Sequence, residues 1–265
     1  IVDAVESLGV ERVVELGAGA GALTAALLER GLRVEALELD ARMVALLEGE
    51  LAGPRCSVHR ADIAAEDLAA RVGEEPCAFA GNLPYQVTSP VLFGLLPAWE
   101  KPALRGAVLM MQMEVARRLM ASPGGRDYGV LSVLIQARCR IRKVCAVRPG
   151  SFLPPPKVDS MVVSLHRRED AMILGPSAVS LVKELFGERR KQIGGLLRRR
   201  HGLDEEALGA MAREVEIDPR RRRALNLPNR PQPVHLLGQF RRQPDHHAVE
   251  HIRGCRRRRF FFSGR

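Results

Sequence analysis

Five short apolar runs recur through the first two-thirds of the chain: RVVEL (12–16), RVEAL (33–37), CSVHR (56–60), CAFAG (77–81) and GAVLMM (106–111). Stretches with helical spacing lie between them. Strands buried on both faces read as continuous apolar segments, and strands that alternate with helices are joined by crossovers, so this rhythm predicts an α/β fold built on a doubly wound parallel sheet. LTAALLERG ends at Gly31 as a capped helix does, ARMVALLEGEL spaces its apolar positions helically, and EVARRLMA continues the pattern after the fifth strand. Segments near RKVCAV and VVSLHR supply the strands that complete the sheet. At 265 residues and 46% hydrophobic composition, the chain can bury the core of one large domain or two unequal ones.

Strand signals stop after about residue 170, where VSLVKELFGERRKQIGGLLRRRHG and DEEALGAMAREV read as helices separated by Gly and Asp. The expected organisation is therefore a sheet domain over 1–170 and a small all-helical domain over 171–226. Over 227–265, PNRPQP, RRQPDHH and CRRRRFFFSGR hold no sustained period, which predicts a flexible or poorly packed basic tail. The formal net charge of +10 is unevenly placed: residues 1–170 hold 20 Lys and Arg against 21 Asp and Glu, whereas 171–265 hold 21 against 10. A near-neutral body with a basic end suits a polyanionic partner, because Lys and Arg gain affinity by releasing counterions from phosphates. A solubilising basic tail would carry the same charge.

Five cysteines (Cys56, Cys77, Cys139, Cys145 and Cys255) are scattered with no CxxC pair, so neither a disulfide framework nor a zinc site is indicated and no metal is expected. No apolar run reaches membrane-spanning length, and Asp3 and Glu6 stand where a secretory signal would carry positive charge. These features point to a reducing cytoplasm and no membrane.

Directly after the first strand comes Glu15-Leu-Gly17-Ala-Gly19-Ala-Gly21, leading into a helix near Leu23. Glycines there let the backbone turn sharply and approach a ligand. Dinucleotide-binding oxidoreductases use a similar device for pyrophosphate. Acidic Glu15, however, would repel a pyrophosphate and attract the cationic methionine head of an adenosyl ligand. Glu38, ending the second strand, is placed to accept from both ribose hydroxyls. Asp40 reads as the cap of the next helix. Asp62, after the third strand, could accept from the exocyclic amine of the ligand's adenine. Taken singly, Glu38 and Asp62 are better explained as solvated loop acids than as ligands; at successive strand ends beside a Gly-rich turn they reinforce one another.

Gly81-Asn82-Leu83-Pro84-Tyr85, at the end of the fourth strand, is the most specific signal in the sequence; in its N-L-P-Y form it resembles the motif of amino methyltransferases, and the resemblance implies an adenine amine as the target. An amine conjugated to a purine ring is a poor nucleophile, and acceptors must draw it toward tetrahedral geometry. The Asn82 side-chain oxygen and the Leu83 carbonyl can each accept one amine hydrogen, Pro84 fixes the backbone that aims them, and Tyr85 can stack on the base. The bland alternative is a strand-ending turn with a buried aromatic. No catalytic His, Ser or Cys triad is found or required.

The motif resembles the N/D-P-P-Y/F/W signature of amino methyltransferases, and E-x-G-x-G-x-G resembles that of class I methyltransferases. GNLPYQVTSPVLFGLL, GAVLMMQMEVARRL, YGVLSVLIQ and SFLPPPKVDSMVVSL together resemble the KsgA/Erm family of rRNA adenine N6-methyltransferases, over residues 1 to about 225. The resemblance implies a Rossmann-like class I methyltransferase sheet with a helical C-terminal domain, S-adenosylmethionine as cofactor, and N6 dimethylation of adjacent adenosines near the 3′ end of small-subunit rRNA. It implies cofactor contacts from Glu15, Gly17, Gly19, Gly21, Glu38, Asp62 and Asn82. Within the motif F-x-P-x-P-K-V-D-S it makes Phe152 the second aromatic wall beside Tyr85. FGERRKQIGGLLRR is similar to the family's C-terminal domain, MVVSLHRR to its final strand, and the IDPRRRR segment favours the KsgA-type branch.

An adenine must be splayed out of its RNA before a buried site reaches N6. Arg189, Arg190, Lys191 and the Arg220, Arg221, Arg222 and Arg223 run would then grip the flanking backbone, with a monomeric enzyme on the pre-ribosomal small subunit expected. Family members begin with a basic segment and a Q-x-F-L-x-D-like motif; this sequence starts at Ile1 inside the following helix, so that part of the site is expected to be missing. The tail beyond RALNL departs from the family, as a genuine extension or a frameshifted end. Three rivals remain: an Erm-like methylase of large-subunit rRNA, a non-catalytic RNA-binding assembly or transcription factor on the same shell, and an NAD-type oxidoreductase.

Overall fold

A computed structural model describes residues 1–152, 155–172, 174–188 and 192–214, with the side chains of 211–214 left aside. Seven strands form one sheet among these residues: β1 (Arg12–Leu16), β2 (Arg33–Glu38), β3 (Cys56–Arg60), β4 (Cys77–Asn82), β5 (Leu104–Gln112), β6 (Cys139–Val147) and β7 (Ser160–Arg167). Their order is β3-β2-β1-β4-β5-β7-β6. The strands expected from the apolar runs occur where the sequence places them, each within two residues for the first five. Interspersed are α1 (Val2–Glu6), α2 (Ala22–Glu29), α3 (Ala41–Glu50), α4 (Thr88–Ala98), α5 (Met113–Met120) and α6 (Val130–Gln136).

The chain lays β1, β2 and β3 outward on one side, then crosses back to place β4 against the other side of β1. That reversal opens a crevice beyond the carboxyl ends of β1 and β4, where doubly wound sheets bind ligands. Val13, Val14 and Leu16 of β1 and Ala78, Phe79 and Ala80 of β4 are fully buried, as befits central strands covered on both faces. At Gly81, a Cβ would stand 2.5 Å from the Leu16 carbonyl oxygen, so the two central strands close on each other only because that position lacks a side chain.

The doubly wound sheet expected from the sequence is present, with one strand reversed. β7 is antiparallel to both β5 and β6, while the other six strands run together. The link from β6 to β7 contains, in its described part, only the short turn Pro149–Ser151 and no crossover helix, so the strand must return in the opposite direction. Because β7 starts where its neighbours end, its first residue, Ser160, pairs with Gln112 at the end of β5 and with Val147 at the end of β6.

The chain divides into two compact units, 1–173 and the part from Leu174 onward. In the second, α7 (Pro176–Gly187), α8 (Ile193–His201) and α9 (Glu205–Glu214) follow one another. The helical run expected over 179–202 is thus two helices. Leu181, Val182, Leu196, Leu197 and Leu208 are buried in this unit. Asp204 caps α9 by accepting from the Ala207 N–H at 2.8 Å, and Arg200 pairs with Glu188 at 3.0 Å. The 227–265 tail lies outside the described residues.

Candidate active site

The turn after β1 is built from glycines that no other residue replaces easily. Gly17, Gly19 and Gly21 adopt φ of 78°, 57° and 84°, in the left-handed region that L side chains rarely enter. Their missing side chains serve different ends. A Cβ on Gly21, at the N-cap of α2, would stand 2.7 Å from both Leu47 and Leu51, so this glycine lets α2 pack against α3. A Cβ on Gly19 would meet nothing within 4 Å, leaving an open cradle. One on Gly17 would face Ile63 Cδ1 at 3.6 Å and Pro84 Cδ at 3.7 Å, so the Gly-rich turn adjoins both the loop after β3 and the Asn82–Tyr85 motif.

The acidic residues at the strand ends lie along the same rim. Glu38 Oε2 accepts from the Gly19 N–H at 2.8 Å, and Oε1 from those of Leu39 and Asp40 at 2.8 and 2.9 Å. A carboxylate offers roughly four lone-pair sites, so these three bonds fix Glu38 in place and leave one acceptor for a ligand. Asp40 caps α3 through the Arg42 N–H at 2.8 Å; hydrogen bonds from Arg42 hold its carboxyl down, to about 2. Asp62 is exposed, with Oδ1 accepting from Ala64 N–H at 2.9 Å and Oδ2 taking no donor from a described residue.

Glu15 lies deeper, only 1% exposed. Its Oε2 accepts from the Thr24 hydroxyl at 2.6 Å. Burial penalises its charged form and pushes the carboxyl up to about 7; the Thr24 bond lowers it in part, and the neighbouring charge of Glu38 raises it. Thr24 was not singled out in the sequence, although its place in the first turn of the helix after the glycines is the signal that could have found it.

Asn82 ends β4 with its side chain exposed, and Leu83 turns its side chain inward while its N–H donates to the Met110 carbonyl at 3.0 Å. Neither the Asn82 side chain nor the Leu83 carbonyl takes a hydrogen bond from a described residue. The following turn is held tightly: the Thr88 hydroxyl and the Val87 N–H both donate to the Pro84 carbonyl, each at 3.1 Å. Tyr85 is half-buried, its hydroxyl 3.0 Å from that of buried Ser160. Ser160 is a second residue that strand pattern alone could not single out, because the pairing spans the whole right half of the sheet. Phe152 is half-buried on the segment that leads into β7 and packs against the core beneath the rim. Arg189, Arg190, Lys191 and Arg220 to Arg223 lie outside the described residues, so the structure does not place them. Among the described residues, no cluster of His, Cys, Asp or Glu could hold a metal, and no helix is long and apolar enough to cross a membrane.

A family model described as ribosomal RNA adenine dimethylase matches residues 1–221. The protein named ribosomal RNA small subunit methyltransferase A from Anaeromyxobacter sp. is 44% identical over 224 residues, covering 80% of this chain and 78% of its own length. The protein of that name from Pseudomonas aeruginosa is 38% identical over 197 residues, 71% of each chain. Among solved structures, a dimethyladenosine transferase from Plasmodium falciparum is similar with a TM-score of 0.64 at 27% identity, over 82% of this chain and 80% of that one. The 23S rRNA methyltransferase ErmE is similar with a TM-score of 0.63 at 28% identity, over 89% and 94%.

Proposed function

This chain belongs to the ribosomal RNA adenine dimethylase family, and we infer that it transfers methyl groups from S-adenosylmethionine to the N6 amine of adenines in small-subunit ribosomal RNA. The observation that carries the chemical reading is the pair of unengaged acceptors, Asn82 side chain and Leu83 carbonyl, on a rigid turn beside the open glycine cradle.

The residues present fit the cofactor. Gly19 leaves room for it, Glu38 is held with one acceptor for one ribose hydroxyl rather than both, Asp62 keeps an oxygen for the adenine amine, and Glu15 offers a carboxyl to the cationic methionine head. When bound, the cofactor supplies a methyl group on a positively charged sulfur that leaves readily, so alignment matters more than a strong base. Asn82 and Leu83 accept one N6 hydrogen each and draw the nitrogen out of conjugation, and Pro84 keeps the two acceptors aimed together. Tyr85 and Phe152 hold the extruded adenine between their rings. Arg189, Arg190, Lys191 and Arg220 to Arg223 are assigned to the flanking phosphates. The enzyme is assigned to the cytoplasm, acting as a monomer on the immature small subunit.

Small ribosomal subunits lacking adenine dimethylation, incubated with the protein and radiolabelled S-adenosylmethionine, should incorporate label at adjacent adenines near the 3′ end of their RNA. The likeness to ErmE makes large-subunit RNA the control substrate. Label confined to that RNA, or no label in either, would overturn this reading.

A further inference from the structure

Charge in the sheet unit is sorted by position. Residues 1–75, which build β1 to β3, hold fifteen Asp and Glu against seven Lys and Arg; residues 76–170, which build β4 to β7, hold six against thirteen. The sharpest concentration is around the edge strand β6. From 128 to 158 there is no acidic residue, while Arg138, Arg140, Arg142, Lys143, Arg148 and Lys157 occur. Apart from Arg138, which is buried, these side chains are exposed, and none makes a hydrogen bond or ion pair with a described residue. In the acidic half, five of the seven arginines, Arg12, Arg30, Arg33, Arg42 and Arg71, are engaged by a carboxylate of a described residue, and only Arg55 and Arg60 are not. Near β6, burial lowers the His166 pKa and the charge of Arg142 lowers it further, while Asp170, whose carboxyl also feels the charge of Arg140, is already engaged by Arg168.

The direction of β6 gives this charge a destination. β6 runs with β1 and β4, so its carboxyl end reaches the same rim as Asn82. Val147, its last residue, pairs with Ser160, whose hydroxyl meets that of Tyr85. Arg148 follows at once. At about 3.3 Å per residue, the row from Arg140 to Arg148 extends for roughly 26 Å and ends beside the base-stacking tyrosine.

We propose that the exposed β6 edge, through Arg140, Arg142, Lys143 and Arg148, tracks the phosphate backbone of the RNA helix adjoining the extruded adenine. The proposal rests on the rRNA reading above and adds a docking surface within the sheet unit, separate from the basic C-terminal segments. Helical RNA is read mainly through its shape and backbone, and unpaired cations that leave both faces of an edge strand, Arg140 and Arg142 on one and Lys143 on the other, can flank a line of phosphates laid along that edge. The bland alternative is that these charges only keep the open edge from pairing with another chain.

The test measures binding to deproteinised small-subunit RNA across a salt series for the full chain and for Arg140→Gln/Arg142→Gln/Lys143→Gln, with S-adenosylmethionine affinity as a check of folding. Each lost phosphate contact should flatten the slope of log affinity against log salt by about 0.9, so the triple variant should lose about 2 to 3 from the slope. Arg33→Gln/Arg55→Gln, on the acidic half, should leave it unchanged. If the triple variant is too unstable, Arg142→Gln/Lys143→Gln should lose about 2. A wild-type slope in a folded β6 variant, or self-association as its only defect, overturns the proposal and leaves the methyltransferase reading standing. Failure of the wild-type chain to bind or label the RNA sinks both.

Discussion

The two halves of the sheet solve different binding problems. On the β1 to β3 side, the rim carries a glycine turn and carboxylates, and five of the seven arginines of residues 1–75 are paired with carboxylates. On the β4 to β7 side, the rim carries the neutral acceptors Asn82 and Leu83 beside Tyr85, and the exposed cations of β6 pair with no described residue. On the proposed reading, a small cationic cofactor and a large polyanion would approach the same crevice from opposite electrostatic sides, with β1 and β4 meeting between them over Gly81. The contrast teaches that a near-zero total charge over 170 residues conceals a strong division of labour.

Three substitutions probe that division, beginning with the largest effect. Asn82→Ala removes an acceptor for the target amine and at most one of seven expected cofactor contacts, so turnover should fall by about 10²- to 10³-fold while S-adenosylmethionine titrated by calorimetry binds within a few-fold of wild type. Equal losses in both measurements would show that the halves do not act separately. Glu15→Gln addresses the cofactor side. The Glu15 carboxyl is raised from 4.5 to about 7 in the folded chain, so the native state binds the proton more tightly than the unfolded one. The sign follows: this site costs nothing below pH 4.5, costs progressively more as pH rises, and reaches its full cost of about 3 kcal/mol above pH 7. Urea unfolding at pH 5, 6 and 8 should show the glutamine variant gaining on wild type with rising pH; parallel curves would remove Glu15 as a buried acid. The smallest effect belongs to Tyr85→Phe, which keeps the ring and loses the bond to Ser160. It should weaken productive RNA binding by about 0.5–1.5 kcal/mol, read as a higher KM, with cofactor affinity untouched.

Much of this was legible because its signals are local. The parallel strands announce themselves as apolar runs, the glycines as a turn, and Asp40 as a cap two residues before the Arg42 N–H it accepts from. Asn82 to Tyr85 carry their chemistry in four consecutive positions. Other features depend on distant partners. β7 settles between β5 and β6 because of pairing between residues as far apart as Gly106 and His166, which no local period encodes. Burial of Glu15 follows from the sheet closing over it, and the Tyr85–Ser160 contact joins segments 75 residues apart. The basic edge escaped a tally taken over residues 1–170 because the acids of β1 to β3 cancel it in the sum.

The reversed course of β7 also sets a timetable for biosynthesis. A nascent chain that has reached Gln112 already possesses the glycine turn, Glu38, Asp62 and Asn82, yet the serine that anchors Tyr85 and the ring of Phe152 are still to be made. On the proposed assignment, the glycine cradle and the acceptors Asn82 and Leu83 are thus encoded ahead of the second aromatic ring and of the serine that fixes the first, so an interrupted translation product would carry Tyr85 without its anchor.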